Sequence, residues 1–366
     1  MAIKLINKTP FTSGAWDYLN QKGNAYGVAL LRGRFTLQQD EDDQWQLVAD
    51  VDQGELFSED RFYGKPDESS LQYETDYISY KSGTDIVANC IARVQGKPKT
   101  KWKCGIQVLS EDKKILCSKI LTVTGKREWK GKLLRWKLTK AKPCREVAIR
   151  YEAAYGGSSK KYDSNGKFVK YLSYDKRNPI GVGNNHSKEK NGYHVAPQIE
   201  SLKQPIGDFY ANYSPQGFGF VHRTWQPRLK LAGTYDDKWL KEKHPLLPDD
   251  FDLDYNRSAS EGMALKHYLK GGEEIKLKNF LSKYGMIKFK LPLYSFYSSL
   301  TLSDGGLLVQ PLELDTVLLD IETDDINDWR IYLSWRGQHI LPDNAAELEL
   351  FGIENTKKEK TTHGIA

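Results

Sequence analysis

The sequence is short of most features that announce a function. Only four cysteines occur in 366 residues, at Cys90, Cys104, Cys117 and Cys144, too few to staple a chain of this length. No two of them have the spacing of a zinc-binding pair, so they read as small buried residues with no metal or nucleophile role. There is no apolar run of about 18 residues, which excludes a transmembrane helix. Met1–Gly14 lacks the basic flank and apolar stretch of a secretory leader, and the chain is expected to be cytoplasmic, with no membrane partner. No Gly-rich loop ends in Lys and Ser or Thr, and no Ser is flanked by glycines at nucleophile-elbow spacing. The nearest dinucleotide-like stretch, Gly181-Val182-Gly183, follows a loop and has His186 where the third glycine belongs. No cofactor, no metal and no catalytic residue is therefore assigned.

What the chain does have is charge, unevenly placed. Lys and Arg number 54 against 48 Asp and Glu, so the net is 54 − 48 = +6. Residues 97–142 carry 15 basic and 3 acidic side chains, a local +12, whereas residues 304–328 hold eight acidic side chains and no Lys or Arg. The two segments are expected either to lie on neighbouring strands or to face different protein partners. Trp102, Trp129 and Trp136 interleave with the lysines of the basic segment, a composition also met on nucleic-acid surfaces. Lysines on the solvent face of edge strands are the simpler account, because they block edge-to-edge aggregation, and no nucleic-acid partner is assigned.

The N-terminal half, residues 1–154, reads as strands. Ile86, Ala88, Cys90, Ala92 and Val94 alternate along Asp85–Val94, the pattern of a half-buried strand, and Lys103–Leu109, Ile115–Thr124, Trp129–Leu138 and Glu146–Ala154 are of strand length. Residues 155–345 form a loop-rich middle and a second β-rich half, expected to be continuous with the first. Tyr155–Pro215 is rich in Gly, Asn, Ser and Lys and reads as a long ordered loop or linker. Short helices are expected at Asp236–Lys243 and Ser260–Lys270, and strands at Ile275–Leu277, Ile287–Leu291, Thr316–Glu322 and Trp329–Trp335. Residues 346–366 read as a C-terminal tail, polar and frayed from Thr356. The expected fold is mainly β: two packed β-rich layers or barrel-like halves, a loop-rich middle and short helices.

Chemistry-bearing residues are sparse. Asp250, Asp252, Asp254 and Glu261 imitate calcium-loop spacing, but Tyr255 stands where the tight turn needs glycine and Pro248 breaks the entering helix. Carboxylates that cap turns, or pair with Arg228 or Arg257, suit the segment better. A hydrolytic or carbohydrate-active site using His222 with Asp236, Asp250 or Asp252 is the alternative reading. The surplus of aromatic residues in Gly- and Pro-rich loops suits either the filling of a β-sheet core or protein contacts, since aromatic and Arg side chains anchor interfaces. Partner binding is assigned to Trp225, Arg228, Tyr235, Asp236, Trp239, Asp250 and Asp252.

Ordered blocks carry a family resemblance. They are Lys81–Ala92, the Gly125–Trp129 turn, Tyr151-Glu152-Ala153-Ala154-Tyr155-Gly156-Gly157, Asn178-Pro179-Ile180-Gly181, Pro215-Gln216-Gly217-Phe218-Gly219, Trp225-Gln226-Pro227-Arg228, Ala232-Gly233-Thr234-Tyr235-Asp236 and Leu247-Pro248-Asp249-Asp250-Phe251-Asp252. Together they resemble a bacterial family of unknown function associated with type VI secretion, over roughly residues 1–345. Val182 departs from that pattern, which commonly has Arg or another long residue between the two glycines. The resemblance implies a cytoplasmic adaptor or chaperone that binds a PAAR-type or toxin effector and helps load it onto the trimeric VgrG spike. It implies no catalytic residues.

Overall fold

The computed structural model describes residues 4–133, 135–184 and 192–354. Alternation decides most of its elements. Along Asp85–Arg93, Ile86, Ala88, Cys90 and Ala92 enter the main apolar cluster, as a period-2 pattern requires. Val87 on the opposite face enters a second cluster with Phe57, Leu71, Phe220 and Leu318. The strand also pairs in parallel with Leu307–Ile321. It is therefore buried on both faces, which corrects the half-buried expectation.

This strand belongs to a ten-stranded sheet that curls into a half-barrel. Its main path runs Lys4–Asn7, Ala345–Glu354, Tyr294–Leu302, Leu307–Ile321, Arg330–Ile340, Ala25–Gln39 and Thr12–Leu19. Asp315 is the extra residue of a bulge in Leu307–Ile321, where the register with Arg330–Ile340 shifts between Leu314 and Thr316. Around that bulge the long strand changes partners, pairing first with Tyr294–Leu302 and then with Asp85–Arg93.

A five-stranded sheet has the order Ile199–Ser201, Ile115–Thr124, Lys101–Leu109, Glu274–Lys278, Met286–Lys290. One cluster joins the two sheets, taking Ile86, Ala88, Val317 and Leu319 from the larger and Cys104, Ile106, Leu121 and Ile275 from the smaller. Each aliphatic side chain so buried contributes roughly 1.5–3 kcal/mol. The fold is thus mainly β, in packed layers with few short helices. Among the described residues no helix is long and apolar enough to cross a membrane.

Several expectations need adjusting. Trp129–Leu138 is a hairpin, Glu128–Lys132 paired with Arg135–Leu138, and Glu146–Ala154 gives only the short strand Glu146–Ala148 before a 3-10 turn at Tyr151–Ala153. Tyr155–Pro215 carries strands of its own, including the hairpin Ser158–Tyr162 with Phe168–Tyr174. Ser260–Lys270 forms no helix, because its backbone is bonded elsewhere: Leu265 N–H donates to Thr84 O at 2.9 Å and Leu269 N–H to Thr84 Oγ1 at 2.9 Å. The strand Ala345–Glu354, with Leu348 and Leu350 buried, occupies the start of the expected tail; residues 355–366 lie outside the described residues. The basic and acidic segments are not neighbours. Strands of residues 97–142 pair within the five-stranded and a three-stranded sheet, while Leu307–Ile321 belongs to the large one. Charge is balanced locally instead, Lys113 with Glu274, Arg127 with Glu200, Arg336 with Asp315 and Arg150 with Glu322.

Candidate functional site

Residues 225–256 fold into a lobe with little regular structure. Asp236 accepts from the Trp239 N–H at 2.8 Å and starts the helix Asp237–Glu242, as an N-cap carboxylate should. The Trp239 indole N–H donates to Leu246 O at 2.9 Å and closes the helix onto the returning chain. Asp250 accepts from both the Thr234 N–H (2.8 Å) and its hydroxyl (2.7 Å), and these bonds hold its carboxyl below the ordinary value. Asp252 accepts from the Asp254 N–H and opens the 3-10 turn Leu253–Asn256. Asp236 and Asp252 thus cap turns, while Asp250 ties its own stretch to Thr234. Each ring edge meets the next: Tyr235 lies 4.6 Å from Trp239 at 71°, and Trp239 5.4 Å from His244 at 83°. Within this stack Tyr235 is 52% exposed, and beside it Leu240 is 59% exposed, with Leu229 and Leu253 also at the surface.

Beneath the lobe lies a floor of buried charge. The Arg228 guanidinium reaches Glu74 at 2.7 Å and donates to Val221 O at 2.6 Å and Tyr255 O at 2.9 Å. Arg257 donates to Asp85 at 2.8 Å, and Lys81 faces the same carboxylate at 3.3 Å. Burial works against ionising Glu74 and Asp85, but the facing cations outweigh it and hold both below the usual carboxylate value. Farther along the same face, Arg32 pairs with Asp76 and Arg336 with Asp315. There burial dominates, drawing Arg32 down and Asp76 up. A cavity of about 30 Å3 opens among Arg32, Glu74, Asp76, Lys81 and Arg336, room for a water molecule. Buried ion pairs add little net stability over apolar packing, yet each fixes a geometry that is costly to break. Here they clamp one lobe on the sheet.

Two sequence blocks interlock at the lobe's flank. The Asn178 side-chain amide donates to Tyr151 O (2.8 Å) and Tyr155 O (3.0 Å), and its backbone carbonyl accepts from the Gly157 N–H at 2.7 Å. A Cβ on Gly157, at φ +111°, would sit 2.4 Å from Gly181 O. Replacing Gly157 by Ala is therefore expected to lower unfolding free energy by about 2–3 kcal/mol, by backbone strain and clash together. Gly166→Ala, where φ is +77° and the space is open, is the control and costs about 1–2 kcal/mol. Urea denaturation of the two variants checks the difference.

The seven residues assigned to partner binding separate into two groups. Tyr235, Asp236, Trp239, Asp250 and Asp252 build the lobe's outer part. Trp225 and Arg228 are buried, Trp225 edge-on against Tyr151 at 5.3 Å. His222 Nδ1 is bonded to the Thr224 hydroxyl at 2.7 Å, and its ring packs on Phe62 and Trp225. Asp250 is bonded instead to Thr234, across the lobe, and Asp252 to the Asp254 N–H in its own turn. No group of three or more His, Cys, Asp or Glu side chains able to hold a metal occurs among the described residues. His186 lies outside the described residues. Glu74, Asp85 and Asp315 were not singled out from the sequence; only Asp85 sits in a resembling block, and a lone carboxylate in an apolar run is the signal that marks it.

No curated protein and no solved structure matches this chain. Residues 22–336 match one family across its two β-rich halves, the lobe and the Gly157–Asn178 knot. The chain belongs to the bacterial family described as "Uncharacterized protein conserved in bacteria (DUF2169)".

Proposed function

We propose that this chain is a cytoplasmic adaptor that binds a PAAR-type or toxin effector and helps load it onto the VgrG spike of type VI secretion. The observation that carries this reading is the lobe: exposed Tyr235 and Leu240 beside Trp239, on a segment clamped from below by buried ion pairs. A docking module needs apolar side chains held still at the surface, so that little entropy is lost when they are covered. Three of the blocks that carry the family resemblance, Trp225–Arg228, Ala232–Asp236 and Leu247–Asp252, make up this lobe. Their residues serve as anchor, surface and turn cap in that order.

Co-expression with a PAAR-bearing effector is expected to give one complex in gel filtration. Two separate peaks at micromolar concentration would sink the proposal. The double variant Tyr235→Ala/Leu240→Ala is expected to weaken the complex by about 1–3 kcal/mol while leaving the urea midpoint unchanged, because both side chains lie mostly outside the core.

A further inference from the structure

We infer that the hairpin Ser158–Tyr162/Phe168–Tyr174 is a second docking arm, and that it receives an extended segment of a partner protein in which apolar and acidic residues alternate. The hairpin is well made. Asp163 Oδ1 accepts from the Asn165 and Lys167 N–H groups at 2.9 Å, and Gly166 turns the chain at φ +77°. It forms a two-stranded sheet of its own, joined to no other strand among the described residues. Such a hairpin is marginal in water without cover, and this one has almost none. Tyr162, Phe168, Val169, Tyr171, Leu172 and Tyr174 are each 42–59% exposed.

The register explains how so many rings share a face. Tyr162 lies opposite Phe168, Lys160 opposite Tyr171 and Ser158 opposite Tyr174, because Val169 and Leu172 are extra residues bulged out of the second strand. Two bulges convert a three-residue spacing, which would otherwise alternate between faces, into one ladder. Its centroid steps are 6.4 Å from Tyr162 to Phe168, 5.1 Å to Tyr171 and 4.6 Å to Tyr174. Neighbouring rings meet at 76°, 61° and 52°, so they form an apolar ridge and not a set of parallel platforms. A base or a sugar stacks on an open ring face. A ridge of ring edges suits the apolar side chains of a polypeptide.

Charge supplies the other half of the partner's chemistry. Lys161 and Lys170 stand directly opposite each other on the reverse face, an arrangement that costs stability unless neutralised. No carboxylate pairs with Lys160, Lys161, Lys167 or Lys170 among the described residues. The unbulged strand Ser158–Tyr162 offers its outer edge to a third strand. A segment added there, with alternate side chains apolar and acidic, sets an apolar side chain beside Tyr162 on the ring face and an acidic one beside Lys161 on the reverse face, with Phe168 and Lys170 one strand farther in.

The test uses short fluorescein-labelled peptides of alternating Glu and Leu, with Lys–Leu and Glu–Ser counterparts, and the full chain. Fluorescence anisotropy is expected to show binding of the Glu–Leu peptide alone, weakened by raised salt and about tenfold or more by Tyr162→Ser/Phe168→Ser. Lys161→Glu/Lys170→Glu is expected to reverse the preference toward the Lys–Leu peptide, a gain that misfolding cannot mimic. Equal binding by the wild type and both variants overturns the inference. So does hairpin-dependent binding of a thymidine oligonucleotide or of phosphatidylglycerol vesicles without binding of the Glu–Leu peptide.

Discussion

Asp85→Ala is expected to lower the unfolding free energy by about 3–5 kcal/mol, the range for removing one partner from a buried ion cluster. The Asp85 side chain is fully buried and accepts from Arg257 Nε at 2.8 Å and from the Ser258 N–H at 2.8 Å, with Lys81 Nζ at 3.3 Å. Without it Arg257 loses its carboxylate partner in the interior, and Lys81 is left with the Glu74 carboxylate that it also faces. Lys81 keeps its bond to the Thr316 hydroxyl at 2.9 Å, and Arg257 its bonds to the backbone and to Ser82. Asp85→Asn keeps the shape and an acceptor for Ser258, and is expected to cost less.

The acid limb of stability separates charge from packing at this site. The carboxyl is held below its ordinary value in the folded chain, so its contribution is fully present above the unfolded-state pKa of about 3.9 and fades as pH falls through the folded-state value. Glu74, depressed in the same direction, acts likewise. The gap in unfolding free energy between wild type and Asp85→Asn should therefore be widest near neutrality and shrink below about pH 4. Urea denaturation at several pH values measures it. Variants within about 1 kcal/mol of wild type at neutral pH would show that the cluster does not hold the lobe to the sheet.

That cluster also marks the limit of what the chain discloses before it is folded. Strands were legible wherever one residue type repeated at period two: Ile115–Thr124 has the bounds its alternation indicates, and Asp236 capped the helix its side chain suggests. Burial on the second face of Asp85–Arg93 was not, because cover there comes from Phe57, Leu71 and Phe220, far away in sequence. Ser260–Lys270 looks helical only while Thr84 is out of view. Once the chain closes, Thr84 takes the backbone bonds a helix would have used. The hairpin at Ser158–Tyr174 hid for a different reason. Its rings recur every third residue, a period of neither strand nor helix, and only bulges bring them onto one face; Asn165-Gly166 was the one local sign of a turn. Of the assigned lobe residues, those at turns were readable by capping chemistry, whereas whether a ring faced in or out depended on partners the sequence does not order.

Trp225 settles that question for one ring. Trp225→Ala is expected to lower the unfolding free energy by about 3–5 kcal/mol, the cost of truncating a buried large side chain and leaving the cavity behind. The indole sits in the main cluster edge-on to Tyr151, and its backbone begins the turn in which the Leu229 N–H donates to Trp225 O at 2.9 Å and Arg228 reaches Glu74. Losing it unseats the lobe before the sheets. Amide exchange across residues 226–256 should accordingly accelerate more than exchange in Asp85–Arg93 or Ile115–Thr124. Trp225→Phe keeps an edge-to-face contact with Tyr151 and is expected to recover more than half of the lost stability. An interface anchor behaves the opposite way: stability is unchanged and only partner affinity falls. Measured side by side with Tyr235→Ala/Leu240→Ala, the pair distinguishes the residue that holds the lobe from those the lobe presents, and a Trp225→Ala chain with a wild-type urea midpoint would exchange their roles.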